Sequence, residues 1–190
     1  MVGQAQGQGA RTSEELASTR RERASIVAVL PSRDKGSCET LASHEPTLWT
    51  AMLYFAYGSN MSSRRLRARI PGARARGRGW LEDKRLVCNK PSKDGSGKAN
   101  LVDAAGAVVW GVLYEIEEPD WPNLDRYEPD YSRLGCEVNV DSDRRTTAQV
   151  YIWMGRGPNI PLLDWYREHL LEGAREHGLP PDHIGLIEEL

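Results

Sequence analysis

Two short stretches of this 190-residue chain hold residue types that could do chemistry. The first is Tyr54-Phe55-Ala56-Tyr57-Gly58-Ser59-Asn60. Gly58 permits a sharp turn and close approach of a ligand to the backbone. A helix opening just after it presents unpaired N–H groups and partial positive charge, which suit a carboxylate or phosphate. Ser59 does not sit in a nucleophile elbow, because the GxSxG pattern is absent. The second stretch is Leu124-Asp125-Arg126-Tyr127-Glu128-Pro129, where a carboxylate follows an aromatic residue and precedes a proline-bounded loop containing Tyr131. A glutamate buried there could carry protons. By residue type alone, ordinary explanations are the better ones: a capped helix after a core strand, and a solvated glutamate no different from Glu115, Glu117 or Glu118.

The remaining candidates are weaker. His44, His169, His177 and His183 form no metal-ligand spacing, and His169 and His177 fall on one predicted helix, too far apart to share an ion. Cys38, Cys88 and Cys136 are odd in number and include no CxxC pair. Neither a disulfide framework nor a zinc site is indicated, a reducing cytoplasm is the simplest setting, and Cys88 and Cys136 are expected to pack in strands. Arg64, Arg65, Arg67, Arg69, Arg74, Arg76 and Arg78 lie in a stretch with no acid. With a net charge of −2, a pI near 6.1 and no aromatic residue in the run, a solvated helix face fits better than a nucleic-acid surface. No apolar run approaches the ~18 residues that span a bilayer, and the stretch Ile26–Leu30 is too short for an export signal.

The elements that must position these residues follow from periodicity. Residues 1–51 are rich in Gly, Gln, Ala, Ser and Arg without a sustained period, which predicts a disordered tail before a domain at 52–190. Leu53–Tyr57 reads as a buried strand, and Ser59 as the cap of a helix through Met61, Leu66 and Ile70 that Pro71-Gly72 stops. Strands are expected at 85–89 and 99–103 around a polar loop at 91–97. A clearer one spans 108–116, with Gly111 marking a close packing contact. Pro119 opens a short helix that Pro122 makes irregular. Alternation predicts strands at 134–140 and 148–154. A helix follows from Pro161 to His177, ended by Gly178, and a last one runs over 181–190. Trp153, Trp165 and Tyr166 are read as core and helix–sheet contacts. One helix, several strands, then helices is an α+β order rather than a βαβ alternation.

The run YFAYGSNM at 54–61 resembles the opening signature of the γ-glutamyl cyclotransferase (AIG2-like) family. NKPSKDGSGKANLV at 89–102, WGVLYEI at 110–116, LDRYE at 124–128 and HGLP at 177–180 follow in the family's order, and the likeness is greatest to its bacterial branch. The resemblance implies a small mixed β-barrel with flanking helices. It implies that Tyr54, Phe55, Ala56, Tyr57, Gly58, Ser59 and Asn60 hold the γ-glutamyl end of a substrate, that Tyr131 borders the pocket, and that Glu128 is the acid/base. Pro129 stands where a glycine is common, and Pro122 disturbs the approach to Glu128, so both are places where the carboxylate could be displaced.

The reaction so implied is attack of the substrate's α-amine on its own γ-carbonyl, releasing 5-oxoproline and an amine. Holding the folded conformer does much of the work, because nucleophile and electrophile share one molecule. An α-amine titrates near 8 and a free glutamate near 4.3, a gap of about 5 kcal/mol for full proton transfer. Burial of Glu128 near Tyr57 and Tyr131 would narrow it. No metal or cofactor is called for. The expected partner is a small γ-glutamyl compound, with no nucleic acid or membrane and with oligomeric state open. The second reading is a non-catalytic small-molecule binding module on the same fold.

Overall fold

The computed structural model describes residues 50–190. The expectation of a disordered tail over 1–51 lies outside the described residues except at 50 and 51, and Ala51 already belongs to the first strand. The strands are β1 (Ala51–Ala56), β2 (Arg74–Pro91), β3 (Gly97–Glu117), β4 (Ser132–Asp141) and β5 (Arg144–Ile152). They close into a barrel in the order β1-β3-β2-β4-β5. Every pairing is antiparallel except the closing one, where β1 meets β5 in parallel at Tyr54 and Gln149. Among the described residues four helices flank the barrel: α1 (Ser63–Arg69), α2 (Trp121–Tyr127), α3 (Asp164–Glu176) and α4 (Pro181–Glu188).

The segments 99–103 and 108–116, expected as separate strands, are one continuous β3 paired with an equally extended β2. Register shifts between Ala75 and Gly77, Glu82 and Lys84, and Val87 and Lys90 let so long a hairpin bend around the barrel instead of breaking. Gly77 (φ 133°) and Gly106 (φ 76°) take up the backbone conformations that these bends require. In β3 Val112, Tyr114 and Ile116 are all fully buried, but Leu113 between them is buried too, and Val108, expected on the same face, is exposed. A Cβ on Gly111 would lie 2.5 Å from the Ala56 carbonyl and 2.7 Å from the Phe55 ring, so the expected close contact is real.

Three helical expectations shift. A single 3-10 turn, Ser59–Met61, separates β1 from α1, and Ser62 rather than Ser59 caps the helix by accepting from the Arg65 amide at 3.2 Å. Pro122 does not distort α2: it stands in the first turn, where no intrahelical N–H is needed, after a 3-10 turn at Glu118–Asp120. α3 starts at Asp164, three residues beyond the expected Pro161. The arginine run is also not one helix face. Arg74, Arg76 and Arg78 lie on β2, where Arg74 and Arg76 pair with Glu115 and Arg78 donates to the Gly178 carbonyl.

Helix α3 holds the 3-10 turn against the barrel. A Cβ on its Gly173 would sit 2.3 Å from the backbone of Met61 and Ser62, so the two chains touch with no room for a methyl. His177, in the HGLP segment, lies 2.9 Å from the Tyr114 hydroxyl and 3.2 Å from Ser63 Oγ, tying the end of α3 to β3 and to the start of α1. No helix among the described residues is long and apolar enough to cross a membrane. Gly173→Ala is expected to lower unfolding stability by about 1–3 kcal/mol, the usual cost of overpacking a tight contact, as read by the denaturant midpoint at unchanged m.

Candidate active site

The turn after β1 and the end of α2 face one hollow. Its inner part is lined by Tyr54, Tyr57, Gly58, Ser59, Asn60, Ala99, Glu128, Tyr131, Tyr151 and Tyr166. An outer recess shares Ser59, Glu128, Tyr131 and Tyr166 with it, which puts the Glu128 carboxylate at the junction. Glu128 gets there because it is the C-cap of α2, with its N–H on the Asp125 carbonyl at 3.1 Å. That helix is seated by fully buried Leu124, by Trp121 and by a 2.6 Å bond from the Tyr151 hydroxyl to Asp125 Oδ1. Neither Pro122 nor Pro129 turns the carboxylate out of the hollow.

Among the described residues, the hydrogen bonds that this carboxylate accepts both fall on Oε1. Asn60 Nδ2 donates at 2.7 Å and Arg69 at 3.3 Å, while Arg69 also donates to Asn60 Oδ1 at 2.9 Å. Asn60 Nδ2 lies 3.1 Å from the Tyr54 hydroxyl as well. The Glu128 and Arg69 side chains are only 16 % and 15 % exposed, so the pair is largely withdrawn from water. Desolvation raises the Glu128 carboxyl above the ordinary glutamate range, and the nearby Arg69 charge and the Asn60 bond hold it partly down. Burial wins, and the result is a carboxylate that takes up a proton more readily than a free one. Burial also pushes the phenols of Tyr54, Tyr57 and Tyr131 far up, and that of Tyr166 to about 12, so all four are neutral at ordinary pH.

The structure brings Tyr54, Tyr57, Gly58, Ser59, Asn60, Glu128 and Tyr131 together around the hollow. Phe55 and Ala56 are not among its lining residues. Both are fully buried in the core, and the Phe55 ring packs over Gly111. Ser59 Oγ accepts from Arg65 Nε at 3.1 Å, and Tyr131 donates to the Ala99 carbonyl at 2.7 Å. Tyr166, read as a core contact, instead lines the hollow and accepts from the Ala99 amide at 3.1 Å. Arg65 and Arg69, read as part of a solvated face, turn toward the site. Their spacing of four residues, one helical turn apart, and the lack of any acid in their run were the signals that these charges are answered from elsewhere in the chain. Lys90 and Lys98 also line the recess; both lie in the 89–102 segment, for which residue type alone suggested no role. Burial pushes the Cys88 thiol up to about 12 and the Cys136 thiol to about 11, so neither is a ready thiolate. Among the described residues no group of side chains is arranged to hold a metal ion.

A five-stranded barrel with a largely withdrawn carboxylate facing a glycine turn defines a class of site, and comparison with known proteins places it. A model of the family described as gamma-glutamyl cyclotransferase, AIG2-like, matches residues 54–167, and the chain belongs to that family. A gamma-glutamylcyclotransferase of Bos taurus is 28% identical over 155 residues, covering 77% of this chain and 80% of that protein. The Homo sapiens gamma-glutamylcyclotransferase is 28% identical over 142 residues, covering 70% and 75%. A solved structure of a gamma-glutamyl cyclotransferase superposes with a TM-score of 0.70 at 25% identity, covering 74% of this chain and 88% of its own. The two sequence relatives are mammalian, and the expected likeness to the bacterial branch finds no support in them.

The sign of the Glu128 shift makes a stability prediction. A carboxyl raised on folding binds its proton more tightly in the folded chain, so its contribution is complete below the ordinary glutamate pKa and is lost as pH rises through the raised value. The stability of the wild type relative to Glu128→Gln is therefore expected to fall as pH climbs above the ordinary glutamate range, then to level off. Urea unfolding of both proteins across a pH series checks this, and a rise instead of a fall would mean that Arg69 outweighs burial.

Proposed function

We propose that the chain is a γ-glutamyl cyclotransferase, converting a γ-glutamyl amide into 5-oxoproline and a free amine with Glu128 as general acid/base. The observation that carries this reading is the meeting of the Glu128 carboxylate and the Gly58–Asn60 turn in one hollow. In this reading the γ-glutamyl group lies in the inner part with its α-carboxylate at the turn. Tyr54 adds a donor there, since its hydroxyl accepts from Asn60 and its own proton is available. The α-amine gives a proton to Glu128 and attacks the γ-carbonyl. A C–N bond forms, closing a five-membered ring, and the tetrahedral intermediate then collapses with loss of the original amide C–N bond. The proton held on Glu128 passes to the departing nitrogen, and Glu128 then takes the surplus proton from the ring nitrogen and returns it to the released amine. Two protons thus move from one nitrogen to the other, and atoms and charge balance without water.

Both bonds from Asn60 and Arg69 engage Oε1, which makes Oε2 the oxygen that shuttles the proton. The raised affinity of Glu128 for a proton suits this role, because it narrows the gap to the amine. Substrate and Glu128 together supply nucleophile, electrophile and proton carrier, so the scheme needs no cofactor. The unpaired thiols of Cys88 and Cys136 suit a reducing, cytoplasmic setting.

Glu128→Gln is expected to keep the fold, by circular dichroism and unfolding midpoint, while 5-oxoproline release falls by about 10²–10⁴-fold, the usual contribution of a general acid/base. Turnover within a few-fold of wild type would remove Glu128 from the chemistry. Asn60→Ala, which strips a donor from the carboxylate and from Tyr54, is expected to shift the acid limb of the pH–rate profile to higher pH as well as lower the rate.

A further inference from the structure

The outer recess is cationic. Arg65, Arg69, Lys90 and Lys98 line it, and Glu128 is its one lining carboxylate. Three of these cations already have an acid. Arg69 is held by Glu128 at 3.3 Å, Lys90 by Asp130 at 3.2 Å, and Lys98 by Asp94 at 3.2 Å. Arg65 has no carboxylate partner among the described residues. Its Nε donates to Ser59 Oγ at 3.1 Å and its guanidinium sits 5.6 Å from the centre of the Trp165 ring, which fixes the group while leaving its terminal nitrogens open. Burial and then the like charge of Arg69 make the Arg65 charge harder to hold, as for a cation that lacks its counter-ion.

The two lysines are also held in place. Lys98 lies 4.7 Å from the ring centres of both Trp165 and Tyr166, and Lys90 lies 5.4 Å from that of Tyr131. Their side chains are 15 % and 8 % exposed, whereas the Asp130 side chain that answers Lys90 is 74 % exposed. The wall seen by a ligand beyond Glu128 is thus made of ammonium and guanidinium groups on aromatic supports, and neither Asp94 nor Asp130 is among its lining residues.

We infer that this recess is an anion-selecting subsite for the leaving amine, anchored by Arg65 and flanked by Lys98 and Lys90, so that an acidic amino acid is the preferred leaving group and a diamine the worst. The inference rests on the cyclotransferase reading for the position of the leaving amine, since only a γ-glutamyl group seated in the inner part directs its amide substituent outward past Glu128. A planar guanidinium accepts a carboxylate on two parallel N–H bonds. A diamine would bring a further ammonium against four cations, a juxtaposition that interfaces use to reject wrong partners.

Three compounds test this: γ-glutamyl-glutamate, γ-glutamyl-alanine and γ-glutamyl-putrescine, which carry two, one and no carboxylates on the leaving side. 5-Oxoproline release is measured for each with wild type, Arg65→Gln and Lys98→Met, at low and high salt. Equilibrium binding to Glu128→Gln is measured by calorimetry in parallel. The expected order in kcat/KM and in affinity is glutamate, then alanine, then putrescine. Each step is expected to be about 10-fold or more, the scale of a charge-assisted hydrogen bond. Salt, Arg65→Gln and Lys98→Met should each compress the order. Turnover of all three at similar rates, or fastest turnover of the putrescine compound, overturns the subsite and leaves the cyclotransferase reading standing. No turnover with the same order in binding keeps the recess as an anion-selecting site for a bound γ-glutamyl compound and sinks the cyclotransferase reading, and with it the leaving-amine role. No turnover with unordered binding sinks both.

Discussion

The site depends on one buried ion pair, Glu128 with Arg69, and on the Asn60 amide that bridges them. Taking two charges out of water is expensive, and their attraction offsets the cost only where geometry is good and the remaining donors are satisfied. Here Arg69 reaches both Asn60 and Glu128, and its guanidinium stands 4.9 Å from the centre of the Tyr127 ring. The balance falls short of full compensation, and the residual desolvation is what lifts the carboxyl. A perfectly paired glutamate would be a poorer base for an amine, and an unpaired one would be pushed up further by burial.

The rest of the fold serves this arrangement. Asn60 is set by the 3-10 turn after β1, Arg69 by the last turn of α1, and Glu128 by the C-terminus of α2. The turn and α1 are consecutive, with only Ser62 between them, but α2 lies beyond the whole β2–β3 hairpin and must meet them within hydrogen-bond distance. The barrel supplies the frame. Tyr114 of β3 donates to the Met61 carbonyl at 2.7 Å, α3 presses on the turn through Gly173, and Tyr151 of β5 grips α2 through Asp125. Removing side-chain volume at Gly173 and Gly111 is what allows backbone to touch backbone at these joints, so that the turn has little freedom to move away from the carboxylate.

Neutral tyrosines complete the lining. Tyr57 donates to the Tyr151 carbonyl at 2.6 Å, and Tyr131 and Tyr166 engage the carbonyl and amide of Ala99 from two sides. Their rings line the hollow while their hydroxyls leave few buried polar atoms unanswered. The inner part is therefore short of charge, whereas the recess beyond it is rich in cations. That contrast divides the hollow into two chemically different halves across a single glutamate.

Local pattern was enough for much of this protein. Alternation located β3 around Val112, Tyr114 and Ile116, Gly178 marked the end of α3, and the order of motifs pointed to the family. Glycine and proline act through their own backbone geometry, and periodicity through the two faces of one element, so both can be read from neighbours in the chain. What residue order left open was everything set by residues far apart. It could not separate Phe55 and Ala56, which face the core, from Tyr54 and Tyr57, which face the hollow, because β1 is covered on both sides and every position in that run is apolar or aromatic. Nor could it separate Arg65 and Arg69 from the other arginines, since their role comes from partners such as Glu128, 59 positions beyond Arg69. A pKa is fixed by burial and by charges in space, and those exist only once the barrel has closed and brought α1 and α2 to the same opening.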